Sequence, residues 1–201
     1  MKSDLNLWLA SSSPRRRELL SAAGYDFKIV CAPADESRIP NETSRVFVQR
    51  LAGAKADAGY AALSQDVRTT ALVIGSDTIV VLPDQNGGEI VGKPKNFADA
   101  CRVWEQMSGR NHRVITAVCL KTAVCREIFF EESVVYFRQM SAGDMHEYWN
   151  TGEPCDKAGG YAIQGIGRKF VSRYEGSFSN IVGLPMETLT ERLSKLGVLH
   201  S

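Results

Sequence analysis

The chain has 201 residues, of which 44% are hydrophobic and 23% charged, and a formal net charge of +1 at pH 7. That length suits one sizeable domain, or one domain in two lobes, and the composition excludes a disordered tail or a coiled coil. A near-neutral balance also argues against a surface that coats polyanions generally. No apolar run approaches the roughly 18–20 residues needed to span a bilayer, and the short run Leu7 to Ala10, close to Asp4 and Asn6, lacks a secretory core. Cys31, Cys101, Cys119, Cys125 and Cys155 form no CxxC pair, and His112, His146 and His200 are too scattered to suggest zinc. A reduced cytoplasmic setting is the expectation.

Leu5, Leu7 and Leu9 alternate with Asn6, Trp8 and Ala10, which reads as a strand. Ser13 is an N-cap candidate and Pro14 a first helical residue, giving a short helix with Leu19, Leu20 and Ala23 inward and Gly24 as its stop. A second helix spans Ser44 to about Leu63, with Phe47, Leu51, Ala54, Ala58 and Ala62 on one face. Residues 71–75 and 79–82 are strand-like apolar runs separated by Ser76, Asp77 and Thr78; Pro83 to Gly88 is turn chemistry, and Glu89 to Val91 returns as a hairpin strand. Asn96 caps a third helix, which Gly109 ends. Residues 113–120 and 127–137 read as strands. Ser141 starts a helix that stops at Thr151–Gly152, residues 169–174 form another strand, and Pro185 opens the last helix through Leu189, Leu193 and Leu196. The interleaving defines an α/β fold with a mixed sheet and no repeat or linker, hence one folding unit over residues 1–201.

Four features stand out against that background. Arg15, Arg16 and Arg17 fall in the first turn of a helix, where the macrodipole disfavours each cation by about 0.3–1 kcal/mol. An anion held by backbone N–H groups, the Ser11 hydroxyl and the guanidinium forks would explain them; a solvated basic turn is the alternative. Asp77 lies between two apolar runs, where a buried carboxylate needs a partner or a metal. Pairing Leu82 with Glu89 puts Thr78 opposite Lys93, which brings Lys93 beside Asp77; the alternative is a surface carboxylate at a strand bend. Lys55 falls on the inward stripe of its helix and either snorkels to the rim or points at an anion, with Asp35 and Glu36 as further carboxylates nearby. The loop Glu153 to Gly167 has four glycines among residues 159–167, which permit close backbone approach, and offers Gln164 as both donor and acceptor; a flexible surface loop is its plain reading. The constellation fits a nucleotide polyphosphate with a divalent metal, yet neither a P-loop nor a GxGxxG following a strand occurs.

On these residues the sequence resembles the Maf family of nucleoside triphosphate pyrophosphatases. The resemblance rests on S-x-S-P-R-R from Ser11, Asp35–Glu36, A-K-A around Lys55, G-S-D-T at 75–78 and G-K-P at 92–94. It continues through G-x-x-H-x-V-x-T at 109–116, D-K-A-G-x-Y-x-I-Q-G at 156–165 and G-S-x-S-N-x-V-G-L-P at 176–185, and so covers nearly the whole chain. It implies two lobes around a cleft, as in inosine triphosphate pyrophosphatases, often in a homodimer, and metal-dependent hydrolysis of a nucleoside triphosphate to monophosphate and pyrophosphate. It implies Asp77 as proton acceptor and Arg15, Thr78 and Gln164 as determinants of substrate choice. The I-Q-G loop is similar to that of the branch acting on dTTP and UTP, and unlike that of the branch preferring 7-methyl-GTP. Ala162 and Phe178 stand where glycine and tyrosine are more usual, and Cys155 precedes the D-K pair.

The mechanism expected from these residues has Mg²⁺ or Mn²⁺ held by Glu36 and Asp77, with Asp77 readying a water for attack at the α-phosphorus. Arg15, Arg16, Lys55 and Lys93 neutralise the outer phosphates. The Gln164 amide matches the O4 and N3–H edge of uracil or thymine, and the thymine methyl is worth only about 1–3 kcal/mol, so dTTP and UTP are both accommodated. Two other classes stay open at this point: a non-catalytic nucleotide-binding regulator of cell division, and a nucleic-acid binder built on Arg15–Arg17. The near-neutral charge and the absence of a basic stripe weigh against nucleic acid.

Overall fold

The computed structural model describes residues 5–83 and 88–200. Residues 84–87, the centre of the expected hairpin turn, lie outside the described residues. The strands are β1 (Asn6–Ala10), β2 (Lys28–Ile29), β3 (Ala71–Leu82), β4 (Glu89–Val91), β5 (Asn111–Lys121), β6 (Arg126–Phe137) and β7 (Val171–Glu175). They form one mixed sheet in the order β2-β1-β3-β5-β6-β7, with β4 paired to β3. β1 runs parallel to both β2 and β3, whereas β4 and β7 run antiparallel to β3 and β6. The helices are α1 (Pro14–Ala22), α2 (Ser44–Ala62), α3 (Gln65–Arg68), α4 (Phe97–Met107), α5 (Ala142–Asn150), α6 (Phe178–Val182) and α7 (Met186–Lys195). None is long and apolar enough to cross a membrane.

The chain divides into two compact units. One comprises Met1–Asp77, Thr116–Glu131 and Gly183–Ser201; the other comprises Thr78–Ile115 and Glu132–Val182. In the first, Leu9, Leu72 and Ile74 of the sheet pack with Leu20 of α1 and with Leu189 and Leu193 of α7. Ala10, Ala71 and Val73 pack with Leu63 just past α2. In the second, Trp104 of α4, Tyr148 of α5 and Phe170 are fully buried, and the Tyr148 ring meets Trp104 in a tilted contact and Phe170 edge-on, at centroid distances of 5.4 and 5.1 Å.

Several helix ends follow the expected capping chemistry. Asn96 Oδ1 accepts from the Asp99 N–H at 2.9 Å, and Ser141 and Asp144 form a reciprocal capping box on α5. Ser13 departs from expectation, since its side chain caps nothing. The nearby hydroxyl is that of Ser11, which accepts from the Ser13 N–H at 3.2 Å. Thr43, one residue before the expected start of α2, caps it through the Val46 N–H.

The inward stripe of α2 also differs. Val48, Ala52, Ala56 and Gly59 are buried with Phe47 and Leu51, whereas Ala54 and Ala58 are half-buried and Ala62 is exposed. The cause is Gly75 on β3. A Cβ there would stand 2.3 Å from the Ala52 carbonyl oxygen and 2.4 Å from the Ala56 nitrogen, so the helix backbone lies directly on the strand. The two apolar runs on either side of Asp77 form a single strand, β3, which carries Ser76, Asp77 and Thr78 without a break.

Candidate functional site

The first unit gathers Ser11, Arg15, Arg16, Glu36, Lys55 and Asp77. Asp77 is only 9% exposed. Lys55, one turn beyond Leu51 on α2, reaches it with Nζ 2.6 Å from Asp77 Oδ1, and the same ammonium lies 2.8 Å from Glu36 Oε1. The expectation that Asp77 has a cationic partner is met, but by Lys55. Strand pairing of β3 with β4 ends at Val80–Val91, so Lys93 lies past the ladder rather than in it. Gly92 and Pro94 flank Lys93, and proline has no N–H to extend a ladder.

Arg16 is buried and pinned from two sides. Its Nε donates to the Gly183 carbonyl at 3.0 Å, and its NH1 group donates to Ser11 Oγ at 3.2 Å. The Ser76 hydroxyl donates to the same Gly183 carbonyl at 3.2 Å, so Asp77's neighbour and Arg16 share one acceptor. Burial lowers the Arg16 pKa, and the charge of Asp77 opposes that shift. The Arg15 side chain, half-buried beside it, makes no hydrogen bond or ion pair among the described residues.

The second unit carries Thr78, Lys93 and Gln164. Thr78 is half-buried, and Lys93 and Gln164 are exposed. The Gly159 N–H donates to the Gly92 carbonyl at 3.0 Å, and Trp104 Nε1 donates to the Gly160 carbonyl at 3.2 Å. The Gly-Lys-Pro segment and the glycine-rich loop are thereby tied together. Gly159 and Gly160 both take positive φ, of 70° and 66°, which glycine adopts without strain. His112 Nε2 lies 2.8 Å from the Tyr161 hydroxyl, both side chains buried. Burial pushes the His112 pKa down to about 3, so the ring is neutral in ordinary buffers.

Sequence reasoning gives the loop glycines close backbone approach to a ligand, with a flexible surface loop as the alternative, and misses what holds the loop. Glu153 Oε1 accepts from the Tyr148 hydroxyl at 2.6 Å and from the Gly167 N–H at 2.9 Å, while Oε2 accepts from the Ile166 N–H at 2.8 Å. The available signal is the Glu-Pro pair heading a loop whose glycines at 165 and 167 sit two apart.

For a metal, the donor set supplies two carboxylates, Glu36 and Asp77, and they already flank one cationic group, the Lys55 ammonium. No cluster of three or more His, Cys, Asp or Glu side chains suited to a metal occurs among the described residues. Two carboxylates fit a hard divalent ion that takes its other oxygens from water and phosphate, and do not fit a soft or imidazole-ligated metal.

This is an α/β protein on a mixed sheet, with a nearly buried carboxylate on its long third strand paired to a lysine from the helix packed against it. The chain belongs to the Maf family: the Maf-like protein family model matches residues 6–196. It is 45% identical to the dTTP/UTP pyrophosphatase of Pseudoalteromonas atlantica, over 96% of this chain and 98% of that one. The dTTP/UTP pyrophosphatases of Vibrio vulnificus and Vibrio cholerae are each 44% identical, covering 90% and 94% of this chain and 92% and 97% of theirs. A slighter likeness to the Staphylococcus aureus Ham1 protein, with TM-score 0.46 and 13% identity over 66% of this chain and 71% of that one, adds nothing to that assignment.

Proposed function

We propose that this protein hydrolyses dTTP and UTP to the nucleoside monophosphate and pyrophosphate. The observation that carries the reading is Asp77, a nearly buried carboxylate on a central strand, held at 2.6 Å by a lysine that also touches a second carboxylate. Relatives named for this reaction match along almost the full chain and support it.

In this reading Asp77 accepts a proton from the water that attacks the α-phosphorus. A water oxygen–phosphorus bond forms, the bond from the α-phosphorus to the bridging oxygen breaks, and pyrophosphate leaves with that oxygen. Arg15 and Arg16 at the start of α1, together with Lys55 and Lys93, offset the charge of the outer phosphates, and the Ser11 hydroxyl adds a hydrogen bond. Glu36 and Asp77 would hold a divalent cation such as Mg²⁺ or Mn²⁺, which supplies charge neutralisation at the triphosphate when bound. Arg15, Thr78 and Gln164 govern substrate choice, with the Gln164 amide matching the O4 and N3–H edge of the pyrimidine imide. The reading carries with it one two-lobed domain over the whole chain, active as a cytoplasmic homodimer with no nucleic-acid or membrane partner.

The test is pyrophosphate release by the purified protein with Mg²⁺ or Mn²⁺ across the canonical nucleotides and 7-methyl-GTP, with products identified. The expected result is dTTP and UTP turnover, abolished by chelation. Preference for a purine, or binding without release, overturns the reading.

A further inference from the structure

The loop that carries Gln164 is latched from one side by a single carboxylate. Glu153 collects three hydrogen bonds, from the Tyr148 hydroxyl and from the Ile166 and Gly167 N–H groups. The Tyr148 hydroxyl in turn accepts from the Ala162 N–H at 3.3 Å, and the Gly165 N–H closes a turn onto the Ala162 carbonyl at 3.2 Å. The backbone is therefore fixed at residue 162 and again at 166 and 167, bracketing Gln164, which is itself exposed and forms no hydrogen bond among the described residues.

The anchor is rigid. Tyr148 is fully buried between Trp104 and Phe170, on a helix whose start is fixed by its own capping box. Burial pushes the Glu153 carboxyl toward higher pKa, but the hydrogen bonds it receives and the charge of Lys157 outweigh that and lower it, so it is ionised at neutral pH. Bonds from N–H groups to an ionised carboxylate are among the stronger kind. The glycines answer to the same latch. A Cβ on Gly165 would fall 2.0 Å from Glu153 Oε2, and one on Gly167 would fall 2.5 Å from the Tyr148 hydroxyl oxygen. Two of the loop's glycines are thus explained by close approach to the latch rather than by flexibility.

We infer that Glu153, with Tyr148, is a positioning residue for base selection: it fixes the backbone on both sides of Gln164 and so sets the place from which the amide meets the pyrimidine edge. This rests on the proposed reading of Gln164 as the group that recognises the imide of uracil and thymine. Cytosine presents an amino group and a bare nitrogen at that edge; telling the two bases apart requires the Gln164 backbone at a fixed place beside the base, and a loosened loop weakens that discrimination.

The experiment is steady-state kinetics of Glu153→Ala, Glu153→Gln and Tyr148→Phe on UTP, dTTP and CTP, with thermal unfolding measured on each variant. Glu153→Ala is expected to raise KM for UTP and dTTP about tenfold with kcat nearly unchanged, and to lower the UTP-over-CTP ratio of kcat/KM about tenfold. Glu153→Gln keeps one acceptor oxygen and is expected to fall between it and the parent. If Glu153→Ala does not fold, Gly165→Ala is the substitute, because the nearest atoms to its new methyl all belong to the end of the Glu153 side chain. It displaces the carboxylate without striking backbone, and the same collapse of the ratio is expected. A purely structural role lowers all three nucleotides in proportion and leaves the ratio unchanged, which overturns the inference. A parent enzyme with no preference for UTP over CTP overturns the reading of Gln164 itself; a parent preference that survives in the variants overturns the inference alone.

Discussion

In the unit that carries Asp77, the carboxylate faces an ammonium at the end of a flexible four-carbon chain, 2.6 Å away. In the unit that carries Glu153, the carboxylate is met by a buried phenol and two backbone N–H groups. Both groups are acids partly withdrawn from water, yet their surroundings suit them to opposite tasks. A lysine can swing aside and let Asp77 take another cation or a water, at little structural cost. Glu153 cannot change partners without moving the backbone at residues 166 and 167. One arrangement is suited to turnover and the other to keeping a shape.

That contrast is broken most directly at Asp77. Asp77→Asn is expected to lower kcat by about 10²–10⁴-fold while the variant stays folded and still binds nucleotide, as measured by single-turnover kinetics, calorimetry and thermal scans. Near-normal turnover would remove Asp77 as the base and leave the difference between the two carboxylates without chemical meaning.

The second test concerns another tie on the glycine-rich loop, between His112 and Tyr161. His112 is held neutral by burial, with its pKa near 3 rather than about 6.5 as in an unfolded chain. Between those values the unfolded chain binds a proton that the folded chain does not, so stability rises with pH. It is fully present above about pH 6.5 and is lost as the pH falls toward 3. Going from pH 7 to pH 5 is expected to remove about 2 kcal/mol, read as a shift of the urea midpoint. His112→Gln cannot titrate and should flatten that dependence; an unchanged slope in the variant would locate the acid sensitivity elsewhere.

The smallest effect on stability is expected at Arg15. Unlike that of Arg16, its side chain forms no hydrogen bond or ion pair among the described residues, so Arg15→Ala should change folding free energy by less than about 0.5 kcal/mol. The KM of that variant for dTTP should nevertheless rise about tenfold, the scale of removing one charge-assisted hydrogen bond to the substrate. A fall in melting temperature without a change in KM would make Arg15 structural.

Much of this is legible in the residues themselves. Alternation in β1, the β-branched runs of β3, and the Asn96 and Ser141 caps are local signals, and they place elements to within a few residues. Pairing of Leu82 with Glu89 follows from the turn-forming residues between them. What escapes is set by interactions distant in sequence. The stripe of α2 is misread because alanine and glycine carry little hydrophobic signal, and the side that turns inward is decided by Gly75 on another element. Carrying the hairpin register beyond its last paired residue, past a glycine, sets Lys93 beside Asp77, where the ladder does not reach. β2 and α3, of two and four residues, are too short for any periodicity to show. Glu153 looks like one more polar loop residue, because nothing local reveals that Tyr148 and two N–H groups converge on it.

Gly75 has a consequence for the charged pair beside it. With no side chain at that position, β3 and α2 approach as nearly as main-chain atoms allow, and Lys55, next to Ala56 in the helix, spans what separation is left. A single methyl group would act as a wedge, lifting the helix and drawing the ammonium away from its acid. The gauge of this chemistry is thus kept by a hydrogen atom.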